Sequence, residues 1–146
     1  MTRQLLDVNV LIALAWPNHV HHRAAQAWFG TVRPAWATTP ITQCGFVRVS
    51  ANPRFVPTAV GPGDAVAMLA AMIRTGDHEF LADAVELVVG SGREPTHLTG
   101  HQQVTDAHLL AVAEHHGAAL ATFDRAVRAL ADRPEAVTVI AIPGLT

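Results

Sequence analysis

Three aspartates stand where chemistry could use them: Asp7 in L-L-D-V-N-V-L-I, Asp106 in V-T-D-A-H-L-L-A-V-A, and Asp124 in A-L-A-T-F-D-R-A-V. Each follows or opens an apolar run, so each belongs at the border of a core rather than in open solvent. Carboxylates brought by separate elements to one border make a hard, anionic oxygen set, which is what a divalent cation needs. Asp7 is the most telling of the three. It lies between Leu5-Leu6 and Val8, Val10, Leu11 and Ile12, where a charge is costly unless it is paired or bound to a metal. Asp106 after Thr105 also fits a helix-dipole role, and Asp124 before Arg125 fits an N-cap. Carboxylates ~5 Å apart repel by roughly 3 kcal/mol per pair at an effective dielectric of about 20. A bound cation would relieve that repulsion, activate water and stabilise charge on a phosphate.

The elements that must carry these groups can be read from periodicity and punctuation. Residues 3–8 read as a short buried strand, followed by an apolar helix over 9–16 that stops at Trp16-Pro17. A second helix spans His19 to Val32, and a strand Ala35 to Thr39 precedes Pro40, which suits the start of a third helix closed by Asn52-Pro53. After a Pro/Gly-rich loop at 53–63, a periodic helix runs from Asp64 to Arg74 and ends at Gly76. Phe80 to Ala82 is expected as a short strand. Residues 83–103 are the least readable, with a polar turn over Gly90–Pro95. Thr105 suits the N-cap of a helix over 106–116 with Gly117 as its stop. A strand Ala118–Phe123, a short helix Arg125–Ala131 and a strand Val137–Ile142 complete the chain. Strands alternating with helices require crossover connections, so the expected fold is α/β with three layers and a central, mostly parallel sheet of four to five strands. The 146 residues suit one domain, 1–146.

In such sheets ligands bind outside the carboxyl ends of the strands. Asp7 and Asp124 each follow a strand and share that edge if the strands are parallel. Asp106 reaches it only if the connection before its helix returns over the edge. Asn9 could orient Asp7, or cap a helix. Thr122, two residues before Asp124, could play the same orienting part, or be an ordinary strand residue. Arg48, Arg54 and Arg125 are the arginines nearest the motifs, suited to phosphate or to plain solvation.

All ten basic residues are Arg, yet the formal net charge is −2, so no global basic field announces a nucleic-acid partner. Half of the residues are hydrophobic, enough for a substantial core. The single cysteine, Cys44, excludes an internal disulfide and any multi-cysteine zinc site. No apolar run approaches the roughly 18 residues of a membrane span. The expectation is a soluble cytoplasmic protein with no membrane partner. Three Trp, five Phe and no Tyr leave no evident base-stacking platform of the kind single-strand binders use. The densest histidine group, His19-Val20-His21-His22, lacks a second cluster for zinc. His101 and His108 flank Asp106 as conceivable acid–base groups.

The ordered set D-V-N-V-L-I-A-L, T-D-A-H-L-L-A-V-A and A-T-F-D-R-A-V resembles the PIN-domain nucleases, most closely the VapC toxins of toxin–antitoxin pairs. The stretches H-V-H-H-R-A-A-Q-A-W-F and G-F-V-R-V-S-A-N-P-R-F resemble the branch abundant in mycobacteria. The resemblance implies an endoribonuclease dependent on Mg2+ or Mn2+, with Asp7, Asp106 and Asp124 as catalytic and metal-binding residues. It also implies structured RNA, often tRNA, as substrate, a VapB-type antitoxin that blocks the site, and a homodimer. The apolar helices 9–16 and 64–74 are candidate dimer faces. The chain departs from the family where a glutamate is usual, since residues 42–44 are Thr42-Gln43-Cys44. Gln43 can hydrogen-bond water but adds no charge, which puts a second metal in question. A phosphatase of the haloacid dehalogenase kind would need an acid in place of Asn9 and a downstream Lys that this chain lacks. A catalytically weakened PIN module that only binds RNA or antitoxin is the other alternative.

Overall fold

The computed structural model describes residues 2–87, 100 and 102–144. Five parallel strands form one sheet in the order β3-β2-β1-β4-β5, with β1 at Gln4–Leu6, β2 at Ala35–Thr38, β3 at Asp77–Phe80, β4 at Ala119–Thr122 and β5 at Val137–Val139. The central strand β1 pairs on one side through Leu5 and Ala37 and on the other through Leu5 and Leu120. Side chains alternate across a strand, and the core divides accordingly. Leu6, Trp36 and Ala121 face one apolar layer. Their strand neighbours Leu5, Ala37 and Leu120 face the other.

The first layer is covered by α1 (Val8–Ala15), α2 (His22–Val32), α3 (Pro40–Ser50) and α4 (Pro62–Ile73). The second is covered by α5 (Gln102–His115) and by the 3-10 segment Arg125–Leu130. The expected three-layer α/β/α arrangement with a five-stranded parallel sheet is what the chain adopts.

Local chemistry explains the boundaries that matter for the strand ends. Asp7, not Asn9, caps α1, its carboxylate accepting from the Val8 amide at 2.7 Å. Thr39 and Thr42 form a reciprocal capping box at α3, with Pro40 at the first helical position, where its missing N–H costs nothing. Gly45 lets α3 close on α1, because a Cβ there would lie 2.6 Å from Val8 Cγ2. Gly117 takes φ +71, the left-handed turn that joins α5 to β4.

Several expected boundaries move. α2 begins at His22, three residues late, because residues 16–22 form a bonded turn in which His19 N–H donates to Trp16 and His22 N–H donates to His19. β3 lies at Asp77–Phe80 rather than at 80–82. It is a polar edge strand held by the ladder to β2 and by Arg3, which bridges Asp77 at 3.1 Å and Glu79 at 3.0 Å. α5 starts at Gln102, so Thr105 lies inside the helix and Asp106 in its second turn. The polar turn expected at Gly90–Pro95 lies outside the described residues. α1 is a core helix, with Val10, Leu11 and Ala13 fully buried against neighbours that include α2 and α3, which removes it as a dimer face. α4 keeps Val66 exposed. Among the described residues no helix is long and apolar enough to cross a membrane.

Candidate active site

Asp7, Asp106 and Asp124 line one cleft of about 610 Å³, together with Val8, Asn9, Ile12, His19, Val49 and Phe55. It opens at the carboxyl edge of β1 and β4, whose last residues Leu6 and Ala121–Thr122 are followed by Asp7 and Asp124. α5 brings Asp106 to the same place from the opposite layer.

The three carboxylates are held differently. Asp7 is buried and tied at both oxygens: Val8 N–H donates to Oδ1 and the Thr122 hydroxyl donates to Oδ2 at 2.9 Å. Burial raises its pKa, the Thr122 hydroxyl and Val8 amide lower it in part, and the charge of Asp124 raises it again. Asp106 is half-buried, and burial followed by the charges of Asp7 and then Asp124 pushes its carboxyl up to about 6. Asp124 is exposed and caps the 3-10 segment, accepting from Ala126 N–H at 2.9 Å. Its own amide donates to the Thr122 hydroxyl at 3.1 Å. Thr122 therefore links two of the three acids, donating to one and accepting from the backbone of the other.

The donor chemistry fits a hard divalent cation. The Asn9 Oδ1 atom is buried on the cleft without a hydrogen-bond partner among the described residues, an acceptor left over beside the acids. Asp7 and Asn9 are two residues apart at the start of one helix. Among the described residues no three acidic, histidine or cysteine side chains are gathered into a closed shell. Mutual repulsion of unneutralised carboxylates opposes such closure.

The remaining candidate residues separate clearly by position. Gln43 does not line the cleft. Its amide donates to the Thr38 hydroxyl at 3.0 Å, and that hydroxyl in turn meets His78 Nε2 at 2.8 Å. Burial, and then Arg3, lowers the His78 pKa against the opposing charge of Glu79, which suits a neutral ring accepting from Thr38. Arg48 and Arg54 are exposed beside the cleft residues Val49 and Phe55 but do not line it. Arg125 lines an adjoining cleft of about 590 Å³ with Phe123, Val139 and Ile142, and Arg128, which the motifs do not single out, joins it there. Their i, i+3 spacing in one short 3-10 segment is the signal in the sequence that pairs them. His108 is held by Asp83 at 2.6 Å, and His101 lies outside the described residues. His19, which the sequence suggests as a capping or packing residue at a helix start rather than as a zinc ligand, proves to be a cleft residue.

Comparison with known proteins agrees with this architecture. The PIN domain family matches residues 5–133. Ribonuclease VapC39 of Mycobacterium tuberculosis is 51% identical over 124 residues, covering 84% of this chain and 89% of the relative. Ribonuclease VapC38 of the same organism is 48% identical over 130 residues, covering 88% and 90%. Among solved structures, M. tuberculosis VapC20, described as a Sarcin-Ricin loop cleaving toxin, superposes with a TM-score of 0.63. It does so at 16% identity over 90% of this chain and 97% of its own, a likeness of fold. The chain belongs to the PIN-domain family, in its VapC-type branch of ribonuclease toxins.

Proposed function

We propose that this VapC-type chain is an endoribonuclease dependent on Mg2+ or Mn2+, in which Asp7, Asp106 and Asp124 hold the cation and Asn9 Oδ1 offers a fourth oxygen. The observation that carries the reading is the convergence of three carboxylates from separate elements, with an unpartnered buried amide oxygen, on one cleft at the strand ends. When bound, the cation supplies neutralisation of the carboxylates, activation of water and stabilisation of charge on the scissile phosphate.

The chain's own part is positioning. Thr122 and the Val8 amide fix both Asp7 oxygens, so this carboxylate cannot rotate away from the cleft. Asp106 stands on the far layer and closes the oxygen set from the side. Its pKa, pushed up to about 6 by burial and by the neighbouring acids, makes its ionisation depend on a cation arriving. Asp124 is the adjustable member, held by one capping bond at a solvent-open strand end. Arg125 and Arg128 offer guanidinium groups for the RNA backbone in the adjoining cleft, with no acidic partner among the described residues.

The substrate is structured RNA, tRNA first, and the partner is a VapB-type antitoxin that covers the cleft in the cytoplasm. In a homodimer the exposed Val66 face of α4 would serve, since α1 is buried. The test is incubation of purified protein with total tRNA and, in parallel, ribosomal RNA, with Mg2+ or Mn2+. Discrete fragments that vanish with EDTA and in Asp7→Asn are expected. A persistent lack of fragments together with no binding of either metal would leave the weakened, binding-only PIN module.

A further inference from the structure

The Trp16–His22 turn places three histidines with three different fates. His22 Nδ1–H donates to the Ala13 carbonyl at 2.7 Å and so staples the start of α2 to α1. His21 lies against Phe123 with ring centroids 5.0 Å apart. His19 lines the acidic cleft itself. Its Nδ1 accepts the His21 backbone N–H at 3.0 Å. A backbone amide can only donate, so this nitrogen bears no proton, and a neutral ring must carry its hydrogen on Nε2. Burial, then the neighbouring His21 and His22, lower the His19 pKa, which keeps the ring neutral at pH 7. Two further backbone bonds, from His19 N–H to Trp16 and from His22 N–H to His19, hold the turn that presents the ring. Nε2 has no partner among the described residues.

We propose that His19 contacts the RNA, its Nε2–H donating to a phosphate oxygen beside the bond cut in the acidic cleft. This rests on reading the cleft as a ribonuclease centre. A neutral donor suits the place, because it can hold a phosphoryl oxygen without competing with a cation for the aspartates. A histidine cation there would lose the His21 amide bond, because Nδ1 would then bear a proton.

The test uses the full chain and fluorescently labelled total tRNA with Ca2+ in place of Mg2+, so that binding is read apart from cleavage. His19→Ala is expected to weaken affinity roughly tenfold, the loss of one hydrogen bond to a charged acceptor. His19→Gln, whose Nε2–H reaches the same position, is expected to recover to within about threefold of wild type. Melting temperature measured on all three proteins keeps a folding defect from passing as lost contact. Long-range 15N–1H spectra at pH 7 should show His19 protonated at Nε2 alone. The proposal is overturned by a correctly folded His19→Ala with wild-type affinity, by His19→Gln as weak as the alanine variant, by protonation at Nδ1, or by a wild type that binds no RNA. Weakened binding by His19→Ala, beside a wild type that binds but never cuts, would keep this contact and sink the nuclease reading. Unaltered binding and cutting in His19→Ala would do the reverse.

Discussion

The ends of β1 and β4 are neighbouring strand ends built to one plan and finished in opposite environments. Each is followed by an aspartate, and each aspartate caps the helical segment that comes next. Asp7 is buried at the start of α1, on the cleft, with both oxygens bonded, whereas Asp124 sits in solvent with a single capping bond. A buried carboxylate needs donors to offset its lost hydration, and even two leave Asp7 with a raised pKa. An exposed capping carboxylate costs nothing to keep. One acid is thus held in place at a cost in stability, and the other is stable in place but loosely held. A site of this kind gains geometry from the first and adjustability from the second.

The sharpest way to break the comparison is to neutralise each acid in turn. Asp7→Asn and Asp124→Asn should each lower ribonuclease activity by at least about 10³-fold, if both hold the cation. Their stabilities should differ. Without metal at pH 7.5, Asp7→Asn should melt higher than wild type, because a buried charge is gone. Asp124→Asn should stay within about 0.5 kcal/mol, since Asn caps as well as Asp. Equal shifts in urea melts would remove the distinction. Thr122→Val comes next. It deletes the hydroxyl shared by the two acids, and should cost roughly 10–100-fold in metal affinity or activity. Calorimetric Mg2+ titration beside the cleavage assay would read it, and unchanged affinity would mean that Thr122 does not position Asp7.

Legibility in the sequence follows the same division between buried and exposed. β1, β4 and Asp7 can be read because a buried strand must be apolar and a charge inside it needs a reason. The all-parallel sheet follows from the alternation of strands with helices. β3 escapes the pattern because its Asp77-His78-Glu79-Phe80 has no apolar alternation, and its pairing is secured from far away in the chain by Arg3. α5 begins four residues before its expected start because Thr105 has the chemistry of a cap, which local sequence cannot tell from an interior helical threonine. Asp106 is visible as a candidate, but only tertiary folding brings α5 over the strand ends. His19 draws notice because histidines cluster there. Its place on the cleft depends on the Trp16–His22 turn, which leaves no periodic signal.

A smaller effect tests the electrostatic half of the comparison. Asp106 has a folded-state pKa of about 6, above its ordinary value of 3.8. A raised carboxyl contributes stability that is present below the unfolded value and lost as pH rises through the folded one. Metal-free protein should therefore lose stability between about pH 4 and pH 6.5 from this group, by roughly 1–2 kcal/mol once solvent screening of a half-exposed acid is allowed for. Asp106→Asn should flatten that slope in urea melts taken across the range. Mg2+ at ten times its Kd should restore about 1.4 kcal/mol to wild type at pH 7.5. A slope unchanged by Asp106→Asn would mean that neither burial nor the neighbouring acids raise the Asp106 carboxyl.

The smallest effect lies away from the acids, at Gln43. Its amide starts a chain of donors through the Thr38 hydroxyl to His78 Nε2. Gln43→Glu, which supplies the acid usual in the family, turns the first link round. The carboxylate can only accept, so Thr38 must donate to it, and His78 is left without the proton it was accepting. The substitution should cost about 1 kcal/mol of stability, the net worth of one hydrogen bond. It should also raise the His78 pKa, since an accepting carboxylate now lies one hydroxyl away and a protonated ring can donate to that oxygen. An NMR titration of His78 reads this directly. If His78 is unmoved while Mg2+ affinity rises sharply, residue 43 turns toward the cleft once it is charged. The oxygen set would then reach past Asp7 to β2 and α3, and the contrast between the β1 and β4 strand ends would no longer describe the whole site.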